Sequence, residues 1–148
     1  MNTKLEAEGA EFLVLGQMLV QRIVTHKTYT NMAGYDLLAA NPETNRAARI
    51  QVKSRWRTGA PGFLISNLDC EFVVVVRLNR GRKDGGGVVL PPEFFIFPID
   101  VIRSVHQPGD WSKVMFKDLE DLEQYRDNWA LIEKYLKRGA SVRLRRAA

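Results

Sequence analysis

The 148 residues are 45% apolar and 26% charged, a balance that suits one globular domain with its own core and excludes a fibrous or extended disordered chain. The longest apolar run is far too short to span a bilayer, and Met1-Asn2-Thr3-Lys4-Leu5-Glu6-Ala7-Glu8 is acidic where a secretory signal is basic and then apolar, so a cytoplasmic protein with no membrane partner is expected. The formal charge of +5 is concentrated at the end: Lys137, Arg138, Arg143, Arg145 and Arg146 place five cations and no acid in the last twelve residues, leaving 17 basic and 17 acidic groups elsewhere.

Thr3 to Val24 is rich in helix formers, with Glu8, Phe12, Leu15, Leu19 and Ile23 on one stripe. Leu13, Val14, Met18 and Val20 widen that stripe, so most of the helix is expected to be covered. Glu11 shares a face with Ala7, Leu15 and Met18, an unusual setting for a carboxylate, and is the candidate site acid with Glu8 in reserve; the alternative is an exposed surface acid. His26 to Ala33 has no period and reads as a polar loop, and neither His26 nor His106 has a companion at ligand spacing.

The next stretch reads as a hairpin. Tyr35-Asp36-Leu37-Leu38 sets a lone carboxylate among apolar neighbours, where an unpaired charge is expensive, so Asp36 needs a partner. Asn41-Pro42-Glu43-Thr44-Asn45 has the composition of a turn, and Ala48-Arg49-Ile50-Gln51-Val52-Lys53 returns as the second strand. Alternation puts Gln51 and Lys53 on one face, about 6.6 Å apart, with Ile50 and Val52 on the other. Seven Lys or Arg between Arg22 and Arg57 oppose only Asp36 and Glu43, a local excess that suits a phosphate-binding surface or an ordinary solvated face.

This order of residues resembles the PD-(D/E)XK nuclease superfamily. Asp36, Gln51 and Lys53 match the motif; Gly9-Ala10-Glu11 matches the Glu on a preceding helix, and Phe72 to Val76 matches the apolar core strand, so the likeness covers about Gly9 to Ile102. Gly34-Tyr35 stands where the family name has Pro, and Gln51 where a carboxylate is usual. The resemblance implies an α/β, restriction-endonuclease-like three-layer core, a mixed β-sheet flanked by an N-terminal and a C-terminal helix. It also implies Mg²⁺, with Mn²⁺ able to substitute, held by Asp36, the Gln51 amide and the Val52 carbonyl. Lys53 would orient the attacking water, Glu11 would complete the outer shell or a second metal site, and the reaction would be hydrolysis of DNA. Cutting both strands needs one site per strand, so a homodimer is expected.

Beyond the hairpin, Arg55, Trp56 and Arg57 set two cations around an indole, which suits either a nucleic-acid backbone or a Trp covering the sheet edge. Phe63-Leu64-Ile65 is a short strand, Cys70 a small buried hydrophobe with no disulfide partner, and Phe72 to Val76 a central strand covered on both faces. The Gly-rich run after it lacks the Gly-Lys-Ser/Thr ending of a phosphate loop and reads as a mobile tip, with Arg80, Arg82 and Lys83, like Arg49 in the hairpin, as candidate nucleic-acid contacts. Val88 to Leu90 and Glu93 to Pro98 are strand pieces, Ile99 to Val105 a short helix, Lys113 to Phe116 a strand, and Leu119 to Lys137 an amphipathic helix that Gly139 ends. Residues 1–138 thus form one domain and 139–148 a basic tail, in which Arg143, Arg145 and Arg146 are candidates for sequence-independent phosphate contact. Two other function classes suit the same residues: a nucleic-acid-binding module without catalysis, and a structural protein in which Lys53 pairs with Asp36 inside the sheet.

Overall fold

The computed structural model describes residues 3–29, 34–107, 109 and 112–147, with side chains described as far as 138. In chain order the elements are α1 (Thr3–Val20), β1 (Val24–Lys27), β2 (Leu37–Asn41), β3 (Arg46–Arg55), β4 (Gly62–Leu64), β5 (Phe72–Arg77), β6 (Glu93–Pro98), α2 (Ile99–Val105), β7 (Lys113–Met115) and α3 (Ala130–Ala147). Five strands form one mixed sheet in the order β1-β2-β3-β5-β6, and β4 and β7 form a separate antiparallel pair. Only β3 and β5 run parallel, which requires a crossover; the segment carrying β4 makes it.

The β2–β3 hairpin forms because its turn is chemically committed. Glu43 N–H donates to Asn41 Oδ1, Asn45 N–H donates to the Asn41 carbonyl, and Asn45 takes a left-handed φ of 58° that Asn tolerates. Thr44, 2% exposed, donates its hydroxyl to the Leu136 carbonyl at 2.7 Å, pinning the turn beneath α3. The register sets Leu37 opposite Ile50 and Asn41 opposite Arg46.

Alternation divides the buried residues of the sheet into two cores. Ile50, Val74 and Ile96 face Val14 and Met18 of α1 and Ile132 and Leu136 of α3. Val73, Val75, Phe95 and Phe97 face Ile102 of α2, with Phe63 and Val114 from the small sheet. The two terminal helices therefore lie together on one face, and α2 with β4 and β7 makes the third layer. Cys70 is 3% exposed, and burial pushes its thiol up to about 11.

Five local expectations need correction, the first being the strand piece at Val88 to Leu90, where Val89 makes only an isolated bridge to Arg80. Residues 24–27, expected to be helix end and loop, form the edge strand β1, with buried Thr25 pairing to Ala39 and Lys27 to Leu37. The buried stripe of α1 is Ala10, Val14 and Met18, whereas Phe12 and Leu19 of the expected stripe are half exposed. The helix expected from Leu119 begins only at Ala130, because Asp121 and Asp127 take left-handed φ values of 49° and 50° and the intervening residues bond to β6, with Asp127 N–H donating to the Phe94 carbonyl. At its other end α3 continues through Gly139 to Ala147, since the good helix formers beyond outweigh a single glycine costing about 1 kcal/mol. The side chains of Arg143, Arg145 and Arg146 lie outside those described.

Glu93 anchors the far end of β6. It accepts from Arg77 Nε at 3.0 Å, Asn79 Nδ2 at 2.9 Å and Arg126 Nη1 at 2.6 Å. Burial pushes its carboxyl up, but these donors outweigh burial and hold it below the ordinary carboxylate range; Glu71, bound by Arg49, is held down in the same way. A lowered folded-state pKa adds stability above the unfolded value of 4.5, and this is lost as pH falls through the folded value. Glu93→Gln is expected to cost about 2 kcal/mol at neutral pH and to reduce the loss of stability below that range, checked by urea unfolding from neutral to acid pH.

Candidate active site

The end of β1, the approach to β2 and the middle of α1 enclose a cleft of about 360 Å³, lined by Glu8, Glu11, Lys27, Tyr35 and Asp36 among others. Its wall is an ion-pair triad that the sequence did not reveal. Lys27 Nζ lies 2.7 Å from Glu11 Oε1 and 3.2 Å from Glu8 Oε1, and the Lys27 side chain is only 6% exposed. The ammonium also lies 5.2 Å from the Phe12 ring centre and 5.4 Å from that of Tyr29. Glu11 is the inner acid of the pair, its side chain 16% exposed against 49% for Glu8.

Burial pushes the Glu11 carboxyl above its ordinary value; the Lys27 hydrogen bond pulls it back, and the Asp36 charge pushes it up again, for a net rise. Burial alone lowers Lys27, but its two carboxylate partners outweigh that and hold it raised, so the ammonium stays charged throughout the neutral range. Glu11 and Asp36 line the same cleft, which is why the Asp36 charge contributes to the rise at Glu11.

Asp36 sits one residue before the Leu37–Ile50 pair, where the β2–β3 ladder ends. Its N–H donates to the Ile50 carbonyl at 2.9 Å, and its Oδ2 accepts from Val52 N–H at 2.7 Å. The partner that Asp36 needed is thus a backbone donor. A strand residue points its N–H and C=O to the same side, so the Val52 carbonyl also faces the Asp36 side, beyond the last β2–β3 pair.

Gln51 is 7% exposed and donates from Nε2 to the Gly34 carbonyl at 3.1 Å. That contact sets the amide orientation, since the reverse would place two oxygens together. Its Oε1 is then buried with no hydrogen-bond partner among the described residues. A buried orphan acceptor is costly, and a bound ion is one of its ordinary explanations. Gly34 has a φ of 70°, and a Cβ there would come within 2.7 Å of Asn67 Nδ2. Asn67 donates to the same Gly34 carbonyl at 3.2 Å. A proline, with φ fixed near −65°, cannot make this bend, which accounts for glycine at the position.

Lys53 follows Gln51 by two residues on the same side of β3, opposite Val75 of β5, and is half-buried. It does not line the cleft, and neither Lys53 nor Asp36 has an ion-pair partner among the described residues, so the closed Asp36–Lys53 pair of a purely structural protein is not formed. Of the proposed site residues, Glu11 and Asp36 share the cleft, Gln51 reaches its rim through Gly34, and Lys53 stands behind Gln51. Lys27 was missed because the only sequence signal, the alternation Ile23-Thr25-Lys27, is too short to mark a strand.

The candidate nucleic-acid contacts fall into two groups. Arg49 is occupied by Glu71 at 2.6 Å and Asp69 at 3.0 Å, and Arg55 donates to the Gly62 carbonyl. Trp56 is half-buried against the α1 core. Arg57, Arg80, Arg82 and Lys83 are exposed, with Arg82 reaching Asp84 at 3.3 Å.

The donors available to a metal are a mixed oxygen set. Among the described residues no three His, Cys, Asp or Glu side chains are grouped to hold an ion. One carboxylate, one orphan amide oxygen and one backbone carbonyl do suit a hard divalent cation. Among the described residues, no helix is long and apolar enough to cross a membrane.

No protein-family model and no curated protein matches the chain. Its fold is similar to the structure of a bacterial homing endonuclease, I-Ssp6803I, with a TM-score of 0.60 and 22% identity over 96% of each chain. The chain therefore has a nuclease-like mixed α/β fold.

Proposed function

We propose that this protein is a divalent-metal-dependent endonuclease of the PD-(D/E)XK type acting on DNA. The observation that carries the reading is the buried, unpartnered Gln51 Oε1 beside the end of the ladder where Val52 holds Asp36. Support also comes from the likeness in fold to a homing endonuclease. Asp36, Gln51 Oε1 and the Val52 carbonyl hold Mg²⁺, with Mn²⁺ as a substitute. A bound ion supplies charge stabilisation for the phosphoryl and leaving oxygens.

The chain's own groups do the rest. Val52 N–H fixes the Asp36 carboxylate, and the Gly34 carbonyl fixes the Gln51 amide nitrogen, leaving its buried oxygen free to accept. Lys53 orients the attacking water and steadies negative charge developing on the phosphate. Lys27 neutralises Glu11, so that two like charges are not left facing each other across the cleft. Exposed Arg57, Arg80, Arg82 and Lys83 supply phosphate contacts.

A second reading, nucleic-acid binding without cleavage, is favoured by one observation: with Glu8 and Glu11 both bound to Lys27, Asp36 is the one carboxylate lining the cleft that has no ion-pair partner among the described residues. Gln51→Glu separates the two. Without metal, a carboxylate cannot donate to the Gly34 carbonyl, so the variant should lose about 1–3 kcal/mol. If the site takes metal, Mg²⁺ should raise the thermal midpoint of the variant more than that of the wild type, because an anion has replaced a neutral ligand. Identical midpoints with Mg²⁺ and with EDTA for both proteins would favour the non-catalytic reading.

A further inference from the structure

The segment between β5 and β6 displays apolar side chains that neither core takes up. Val88, Val89 and Leu90 are 65%, 54% and 46% exposed, and Pro91 and Pro92 after them are exposed too. A run of apolar residues in solvent is unusual on a soluble surface and marks a place where something binds. Specific contacts fix how the run is presented. Thr58 bridges the two limbs of the segment: Gly81 N–H donates to Thr58 Oγ1 at 2.9 Å, and that hydroxyl donates to the Val88 carbonyl at 2.6 Å. Leu90 N–H donates to the Asn79 carbonyl at 2.9 Å, and buried Asn79 donates from Nδ2 to the Pro91 carbonyl at 3.0 Å. At Gly81 the φ is 84° and a Cβ would come within 2.6 Å of the Gly86 carbonyl oxygen, so the turn closes only on glycine.

The same segment is cationic. Arg80, Arg82 and Lys83 stand against Asp84, which Arg82 meets at 3.3 Å, and exposed Arg57 adds a fourth cation beside Thr58. Arg57, Arg80 and Lys83 have no ion-pair partner among the described residues. Such a face repels a second copy of itself and attracts phosphates. Its position decides between anionic partners. β3 and β5 run parallel, so the segment leaves the sheet at the end toward which Lys53 lies, and Arg80 N–H donates to the Trp56 carbonyl at 2.8 Å. Trp56 follows Lys53 by three residues, no more than about 11 Å of chain. A duplex seated at the candidate site reaches this segment, which favours nucleic acid over an anionic lipid surface.

We propose that Val88, Val89 and Leu90 form an apolar wedge that enters between base pairs of bound DNA, with Arg57, Arg80 and Lys83 on the flanking phosphates. The inference rests on the nucleic-acid reading of this protein, catalytic or not, and adds a substrate class to it: DNA unstacked and bent where it is bound. Apolar side chains lodged in a base step unstack it and kink the duplex by about 20–90°, most cheaply at a flexible pyrimidine–purine step. Two β-branched valines followed by prolines suit this task, because few rotors are left to freeze.

The test uses the full chain in EDTA, so that cutting plays no part, and a duplex of about 30 base pairs with 2-aminopurine beside a central TA step and a dye at each end. Wild type should bend the duplex by about 20° or more, read as increased energy transfer, and should raise 2-aminopurine emission as the step unstacks. Val88→Ser combined with Val89→Ser and Leu90→Ser should abolish both signals. Its binding should keep the same dependence on salt, because no cation is removed and the backbone contacts that hold the segment remain. Arg80→Gln with Lys83→Gln should instead flatten that dependence by up to about 1.8 in slope. A wild type that binds without either signal, or equal signals from wild type and the serine variant, would overturn the inference and leave the nucleic-acid reading standing. No binding by the wild type would remove both. Loss of self-association, or of binding to phosphatidylserine vesicles, in a serine variant whose DNA behaviour is unchanged would overturn the wedge in favour of that partner.

Discussion

Asp36→Asn is expected to lower Mg²⁺-dependent DNA cleavage by roughly 10³-fold or more while leaving the fold intact. The substitution keeps the volume and an oxygen able to accept from Val52 N–H, so the 2.7 Å contact that closes the β2–β3 ladder survives. What is lost is the single anionic ligand of the proposed set, leaving two neutral oxygens to hold a doubly charged ion. Calorimetric titration with Mg²⁺ should show weakened or absent binding, and circular dichroism should match wild type. Glu11→Gln provides a contrast, because Glu11 is already engaged by Lys27. It should disturb the cleft wall and reduce metal affinity less than the Asp36 variant does. Equal losses at the two positions would mean that Glu11, not Asp36, is the principal ligand.

Phe95→Ala is expected to destabilise the protein by about 3–5 kcal/mol. Phe95 is 0% exposed at the centre of β6, its ring stacked against Phe97 at 6.3 Å and tilted against Phe116 at 6.4 Å. Two guanidinium groups cover its ring, Arg77 at 5.1 Å and Arg126 at 4.9 Å, and both also bind Glu93. Truncation therefore opens a cavity and removes the aromatic support of an ion-pair cluster at once, so the site cannot collapse cheaply. Urea unfolding of the two proteins measures the difference; a loss under about 1.5 kcal/mol would show that the second core tolerates repacking.

The parts legible in the sequence were those where one short-range pattern decides the structure. Phe72 to Val76 is uniformly apolar, four of its five residues are β-branched, and it became an interior strand buried on both faces, although the middle place in the sheet belongs to β3. Asn41 to Asn45 dictates a turn, and once that turn is set the register carries Gln51 and Asp36 to neighbouring positions. The illegible parts depend on tertiary context. The helix α1 is apolar on two sides, so hydrophobic periodicity alone could not decide whether the stripe of Ala10, Val14 and Met18 or the one containing Phe12 and Leu19 would be buried. Lys27 reads as a loop cation, and its burial depends on Glu8 and Glu11 arriving from sixteen or more residues away. The late start of α3 follows from Asp121 and Asp127 adopting left-handed backbone while Arg126 reaches Glu93, a contact that no local propensity encodes.

The most direct measurement is cleavage of plasmid and branched DNA by the wild-type protein and by Lys53→Ala, each with Mg²⁺ and with EDTA. Lys53 forms no ion pair among the described residues, so its removal should leave the fold unchanged. Metal-dependent cutting by the wild type, abolished by EDTA and reduced by about 10²–10³-fold in Lys53→Ala, is the predicted result. Equal cutting by the two proteins, or no cutting by a wild type that still binds DNA in a salt-dependent manner, would contradict it.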